Sequence, residues 1–247
     1  MSDESAVPSA VSGDALALEN ARIIEILMAV VRTISPIVPG TAEVVLHEVA
    51  KLPESIVAIA GNATGRSVGD PATDVLLEAI ASGTTEDFLD GYATVLPDGR
   101  TLTSSTTIIR NSAGHPVAAF CVNADLDAWH RLRGLVDAMS PVAPGAAGAG
   151  QPSGVVSSLS AAPGERFAHD VDELASHLIS DTLERIGVPV DLMRKEHKLA
   201  AVARLRERGM FLLKDSVETV ATSLQVTRFT IYNYLNELDE IGGPAKD

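Results

Sequence analysis

The spacing of apolar residues changes character along the chain, and each change predicts an element. Between Asp14 and Ile34, the residues Ile23, Ile24, Leu27, Val30, Val31 and Ile34 recur close to every 3.6 positions, the period of an amphipathic helix. Asp14 can cap that helix, and SPIVPG at 35–40 stops it. Apolar runs then shorten to strand length. AEVVLHEV (42–49) and SIVAIAG (55–61) stand a hairpin's length apart. A glycine-punctuated loop follows at 61–71. PATDVLLEAIASG (71–83) reads as a short helix, with Pro in its first turn and Gly after its end. Three β-rich runs fill 91–126 and turn at PDG and at NSAG. DAWHRLRGLVDAM (127–139) is helical again. Strands joined by tight turns imply an antiparallel sheet, so residues 14–139 read as an α+β, sensor-like sheet with flanking helices and not as a doubly wound fold.

The pattern is interrupted at 140–165, where Gly, Pro, Ala and Ser dominate and little can pack. This stretch reads as a flexible linker, and residues 1–13, small and acidic, as a disordered tail. From 166 to 247 the pattern is helical throughout. The last two helices, over 214–225 and 227–242, have the spacing of a helix-turn-helix at 215–238. Val217, Val220 and Leu224 form the apolar stripe of the first, Ala221 is the small residue at the crossing, and Val226 anchors the turn. Gln225 holds the turn position where Gly is frequent, and a left-handed backbone there costs a non-glycine about 1 kcal/mol. Thr227 can cap the second helix. Ile231, Tyr234 and Leu238 then face the core, leaving Arg228, Phe229, Thr230, Tyr232, Asn233 and Asn236 outside or at the rim. The N-terminal end of a recognition helix enters the major groove. Arg228, Thr230 and Asn233 are therefore the candidates for reading bases, with Tyr232, Thr227 and Lys214 for phosphates. A plain helical hairpin has the same apolar pattern.

Charge changes the picture of the second half. The net charge is −14, yet residues 191–247 carry nine basic and nine acidic side chains, and 194–236 carry eight basic and four acidic. The whole-chain value hides a basic module on an acidic body. Arg194, Lys195, Lys198, Arg204, Arg206 and Arg208 crowd one element, which suits phosphate contact or a solvated face. Cys121 is the sole cysteine, which excludes an internal disulfide framework and a Cys-rich zinc site. No apolar run is long enough to span a membrane, and the start lacks the basic and apolar regions of a signal peptide, so a cytoplasmic location is expected. No G-x-S-x-G elbow, P-loop, dinucleotide fingerprint or metal-ligand spacing of His is present, so no enzyme is expected.

Four stretches carry a resemblance: VVLHEV, SIVAIAGNATGRSVGDPATD, LTSSTTIIRNSAGHPVAAFCVNAD, and RGMFLLKDSVETVATSLQVTRFTIYNYLNEL. In this order they resemble the YheO/DauR-like regulators, a YheO-like PAS domain followed by a DauR-type helix-turn-helix, over most of 20–240 except the linker. The resemblance implies a bacterial transcriptional regulator with a PAS-like antiparallel sheet, flanking helices, and an all-α DNA-binding domain. It also implies a ligand pocket between sheet and helices, for which His47, Asn62, Arg66, Ser104, Ser105, Thr106 and Asn123 are the candidates. Strand alternation puts Ser104 and Thr106 on one face and Ser105 on the other, and Arg66 could hold a carboxylate by two hydrogen bonds. His47 on an apolar strand also fits a hydrogen-bonded core histidine. The expected partners are double-stranded DNA, a small polar effector such as an amino or organic acid, and a second copy of the chain through helices 14–34 and 127–139. No cofactor or metal is expected. The alternative is a ligand-binding protein-interaction module without DNA binding.

Overall fold

The computed structural model of the protein describes residues 13–96, 98–125, 132–136, 139 and 165–242. The predicted tail, most of the helix at 127–139 and the linker up to 164 lie outside the described residues. Strands β1 (Ala42–Glu48), β2 (Ile56–Gly61), β3 (Phe88–Val95), β4 (Thr101–Arg110) and β5 (Pro116–Ala124) form one antiparallel sheet in the order β2-β1-β5-β4-β3. The NSAG turn closes β4 on β5 because Asn111 Oδ1 accepts from the amides of Ala113 and His115. Its Nδ2 donates to Asn20, tying the hairpin to the first helix.

That helix, α1 (Gly13–Ile34), lies on one face of the sheet. Ile24 and Val31 pack with Val44, Leu46, Ala60 and Val117. A fully buried side chain such as Leu46 contributes roughly 1.5–3 kcal/mol. Val30, expected on this stripe, is exposed; one residue is a 100° turn of the helix, and Val31 takes the inward position.

The opposite face is alternately apolar and polar. The register sets Glu43, Val45 and His47 of β1 across from Asn123, Cys121 and Ala119 of β5. These in turn face Ser104, Thr106 and Ile108 of β4, with Tyr92 of β3 opposite Ser104. Helix α2 (Asp74–Ala81) starts later than predicted. Thr73 is its cap, accepting from the Leu76 amide at 3.2 Å, and Pro71 stands before the helix.

The C-terminal helices are α3 (Val171–Ile186), α4 (Lys195–Glu207), α5 (Ser216–Ser223) and α6 (Arg228–Gly242). Asp170 fixes the start of α3 by accepting from the Glu173 amide at 2.7 Å, so 165–168 are not helical. Leu174, Leu178, Leu205, Met210, Val220, Leu224 and Ile231 share one core, and Ala72, Leu76, Leu77 and Ala119 from the sheet domain belong to it as well. Gly209, with φ 76°, sits against α2 so closely that a Cβ would lie 2.8 Å from the Leu77 carbonyl oxygen.

Candidate functional site

Two groups of side chains stand out. The first is on the inner sheet face. Glu43 is wholly buried and fully bonded. It accepts from the Thr64 amide (2.9 Å), the Thr64 hydroxyl (2.7 Å) and Asn123 Nδ2 (2.9 Å), and Arg66 Nη2 lies 3.5 Å away. Arg66, also buried, donates from Nε to Thr64 Oγ1 and sets its guanidinium carbon 4.6 Å from the centre of the Phe167 ring. His47 bonds Ser55 Oγ through Nδ1 at 2.8 Å. Burial, and then the Arg66 charge, lower its pKa to about 3, so it is neutral at physiological pH. Thr106 lies 3.1 Å from the Tyr92 hydroxyl and donates to Cys121 Sγ at 3.2 Å. Burial pushes the Cys121 thiol up to about 12, far from a reactive thiolate. Arg66 Nη1, His47 Nε2 and Ser104 Oγ are buried without a hydrogen-bond partner among the described residues.

His47, Arg66, Ser104, Thr106 and Asn123 are thus on one buried face. Asn62 and Ser105 are not. Gly61 turns the chain with φ 88°, leaving Asn62 exposed and Ala63 buried. Ser105 points to the other side of β4, where it accepts from the Gly91 amide. Sequence reasoning missed Glu43, Tyr92, Thr94 and Glu165. Composition assigns Glu165 to the linker, yet it is only 5% exposed. Its two carboxylate oxygens accept from the Tyr92 hydroxyl (3.1 Å) and the Thr94 hydroxyl (3.0 Å). Burial raises its pKa against the opposing pull of the Thr73 and Thr94 hydroxyls and Arg66. The available signal was the Glu-Arg-Phe triplet that ends the low-complexity stretch.

The second group is on α6. Gln225, with φ 52°, makes the left-handed turn, and Val226 donates to the Ala221 carbonyl at 2.9 Å. Thr227 Oγ1 accepts from the Thr230 amide and lies 3.0 Å from its hydroxyl. Both hydroxyls therefore serve the cap first. Ile231 and Tyr234 are buried. Arg228, Phe229, Tyr232, Asn233 and Asn236 are exposed at the spacing that places them on one helix face. Lys214 is exposed and Lys198 half-buried. The basic run on α4 is less available than its sequence suggests. Lys195 pairs with Glu237 (2.8 Å), Arg206 with Asp239 (2.6 Å) and Arg208 with Asp181 (2.7 Å) and Asp74 (3.5 Å). These cations brace α4 against α6, α3 and α2, while Arg194 and Lys198 make no ion pair among the described residues.

A PAS-type sheet followed by a helix-turn-helix is the build of a transcriptional regulator and not of an enzyme. No helix among the described residues is long and apolar enough to cross a membrane. Residues 18–141 match the YheO-like PAS domain, and 174–236 match an HTH domain. The transcriptional regulator DauR of Pseudomonas aeruginosa is 30% identical over 203 residues, covering 81% of this chain and 87% of the relative. YheO of Escherichia coli K12, an uncharacterized protein, is 27% identical over 212 residues, 85% of this chain and 82% of its own length. An uncharacterized Haemophilus influenzae protein is 26% identical over 223 residues, 90% and 94% of the two chains. The chain belongs to this YheO/DauR family.

Proposed function

We propose that the protein is a cytoplasmic, homodimeric regulator whose C-terminal helix-turn-helix binds operator DNA under the control of a small polar metabolite held by the PAS-like domain. The observation that carries the DNA-binding half is the exposed stripe of α6, where Arg228, Tyr232, Asn233 and Asn236 share one face while Ile231 and Tyr234 anchor the other. Arg and Asn suit guanine and adenine edges in the major groove. The buried polar face of the sheet supports the sensing half. Dimerisation is supported by α1, which leaves Leu18, Ile26 and Val30 exposed, and by the small area that one reading helix offers. The division into sensor (14–139), linker and DNA-binding domain (166–247) follows the same reading.

Capture of sheared genomic DNA by the purified protein at physiological salt, followed by sequencing, tests this. The expected result is an enriched, two-fold symmetric motif whose affinity falls with salt at a log–log slope of about −0.9 per phosphate contact. Phe229 is 72% exposed, which favours a protein partner as the second reading. Absence of any enriched motif, with or without added metabolite, would move that reading to first place.

A further inference from the structure

Residues 165–168 connect to α3 through Asp170 and lie between the two matched regions, inside neither. They are nonetheless anchored to the sheet and to α2. Glu165 takes the hydroxyls of Tyr92 and Thr94, both on the inner sheet face. The Arg166 amide donates to Asp74 Oδ1 at 2.7 Å. Phe167 is buried with Ala63, Leu96 and Leu102 and stacks against Arg66. Ala168 is fully buried. A cleft of about 160 Å³, lined by Val95, Leu96, Glu165, Arg166 and Phe167, opens beside the segment.

We propose that the sensor pocket is a carboxylate site whose present occupant is the chain's own Glu165, and that the effector is a small carboxylic acid that replaces Glu165 and displaces the 165–168 segment. The donor set fits this chemistry. Two hydroxyls converge on one carboxylate beside the Arg66 guanidinium, whose Nη1 is buried and unpartnered among the described residues, as is Ser104 Oγ next to Tyr92 in the register. Burial penalises the charged form of any carboxylate seated there, so entry of an external acid should strengthen as pH falls. An external acid must compete with a tethered one at high effective concentration. Occupation by the acid then releases the Arg166–Asp74 bond and frees the segment leading into α3. This gives the ligand the differential affinity for two arrangements that any switch needs. The inference rests on the sensing half of the function proposed above.

The test uses the full-length chain with Glu165→Ala, which deletes an acetate-sized group. The probes are acetate and its neutral isostere acetamide at equal ionic strength. Acetate is expected to raise the melting temperature of the variant. It is expected to bind the variant at least about tenfold more tightly than either acetamide binds the variant or acetate binds the parent, the difference a charge-assisted hydrogen bond supplies. Adding Tyr92→Phe is expected to reduce the effect. Equal responses to acetate and acetamide, or none, overturn the proposal. Should Glu165→Ala not fold, amide exchange at 165–168 in the parent decides. Exchange that accelerates with acetate but not acetamide supports the site, and exchange indifferent to both overturns it. Operator affinity is measured alongside. Acetate binding that leaves operator affinity unchanged keeps the carboxylate site and removes the sensing function. Operator binding without acetate binding removes this inference alone.

Discussion

The inner face of the sheet and the outer face of α6 use similar side chains in opposite ways. Arg66, Asn123 and Tyr92 are buried, and their worth depends on groups brought to them by other elements. Arg228, Asn233 and Tyr232 are exposed, and Arg228 makes no ion pair among the described residues. Buried polar groups are costly when partnerless and specific when paired. Exposed ones cost the fold little and remain available to a partner. The sheet face should therefore couple function to stability, while the α6 face should separate them.

The largest effect that would break this comparison concerns the buried pair. Arg66→Ala leaves Glu43 without its counter-charge and should cost about 3–5 kcal/mol in chemical unfolding. A loss no greater than that of a surface substitution would mean the Thr64 and Asn123 hydrogen bonds alone sustain the carboxylate. On α6, Ile231→Ala should cost about 2–5 kcal/mol, whereas Asn233→Ala two positions on should stay within about 0.5 kcal/mol. Equal losses would erase the contrast between the two sides of that helix.

Binding sharpens the same contrast. Arg228→Ala and Asn233→Ala should each weaken operator binding by about 1–3 kcal/mol and relax base preference at one position, measured by titration of the captured motif. Lys198→Ala should weaken all sequences alike. Gly209→Ala should cost about 1–2 kcal/mol from its left-handed backbone alone, with more from the approach to Leu77. The same change at the open turn of Gly114 meets nothing within 4 Å and isolates the backbone part.

The effects of pH have opposite signs at two buried groups. His47 has its pKa lowered from 6.5 to about 3, so the folded state binds fewer protons there. The stability His47 contributes is present above pH 6.5 and is lost as pH falls toward 3. Glu165, whose pKa is raised, faces Arg66, Asp74, Tyr92 and Cys121. Its seating is strongest below the ordinary carboxylate range and is lost as pH rises through the raised value. Amide exchange at 165–168, corrected for intrinsic rates, should accelerate in that window, and Glu165→Gln should flatten the dependence.

Most of α6 could be read from the chain because helix periodicity and capping are local. Ile231 and Tyr234 are spaced for the core, and Gln225 takes the turn conformation that its position demanded. On β4, alternation separates Ser104 and Thr106 from Ser105, but which set faces inward depends on sheet pairing and on what covers each face. Glu43 and Tyr92 come to the site through register with β5 and β4, which no single segment encodes. Glu165 was hidden for a different reason. An acidic residue at the end of an Ala/Gly/Pro/Ser stretch reads as solvated, and only tertiary contact puts it against Tyr92.

The sharing of Ala72, Leu76 and Leu77 with the core of the C-terminal helices bears on how such regulators can be recombined. A chimaera cut in the low-complexity stretch, joining a foreign N-terminal domain to these helices, would deprive them of part of their own interior and leave Gly209 facing a stranger's surface. Hybrids that carry residues 72–80 along with the helices keep most of that interior and lose only Leu52 and Ala119 of the sheet domain, so the seam for exchanging specificities lies within the N-terminal domain.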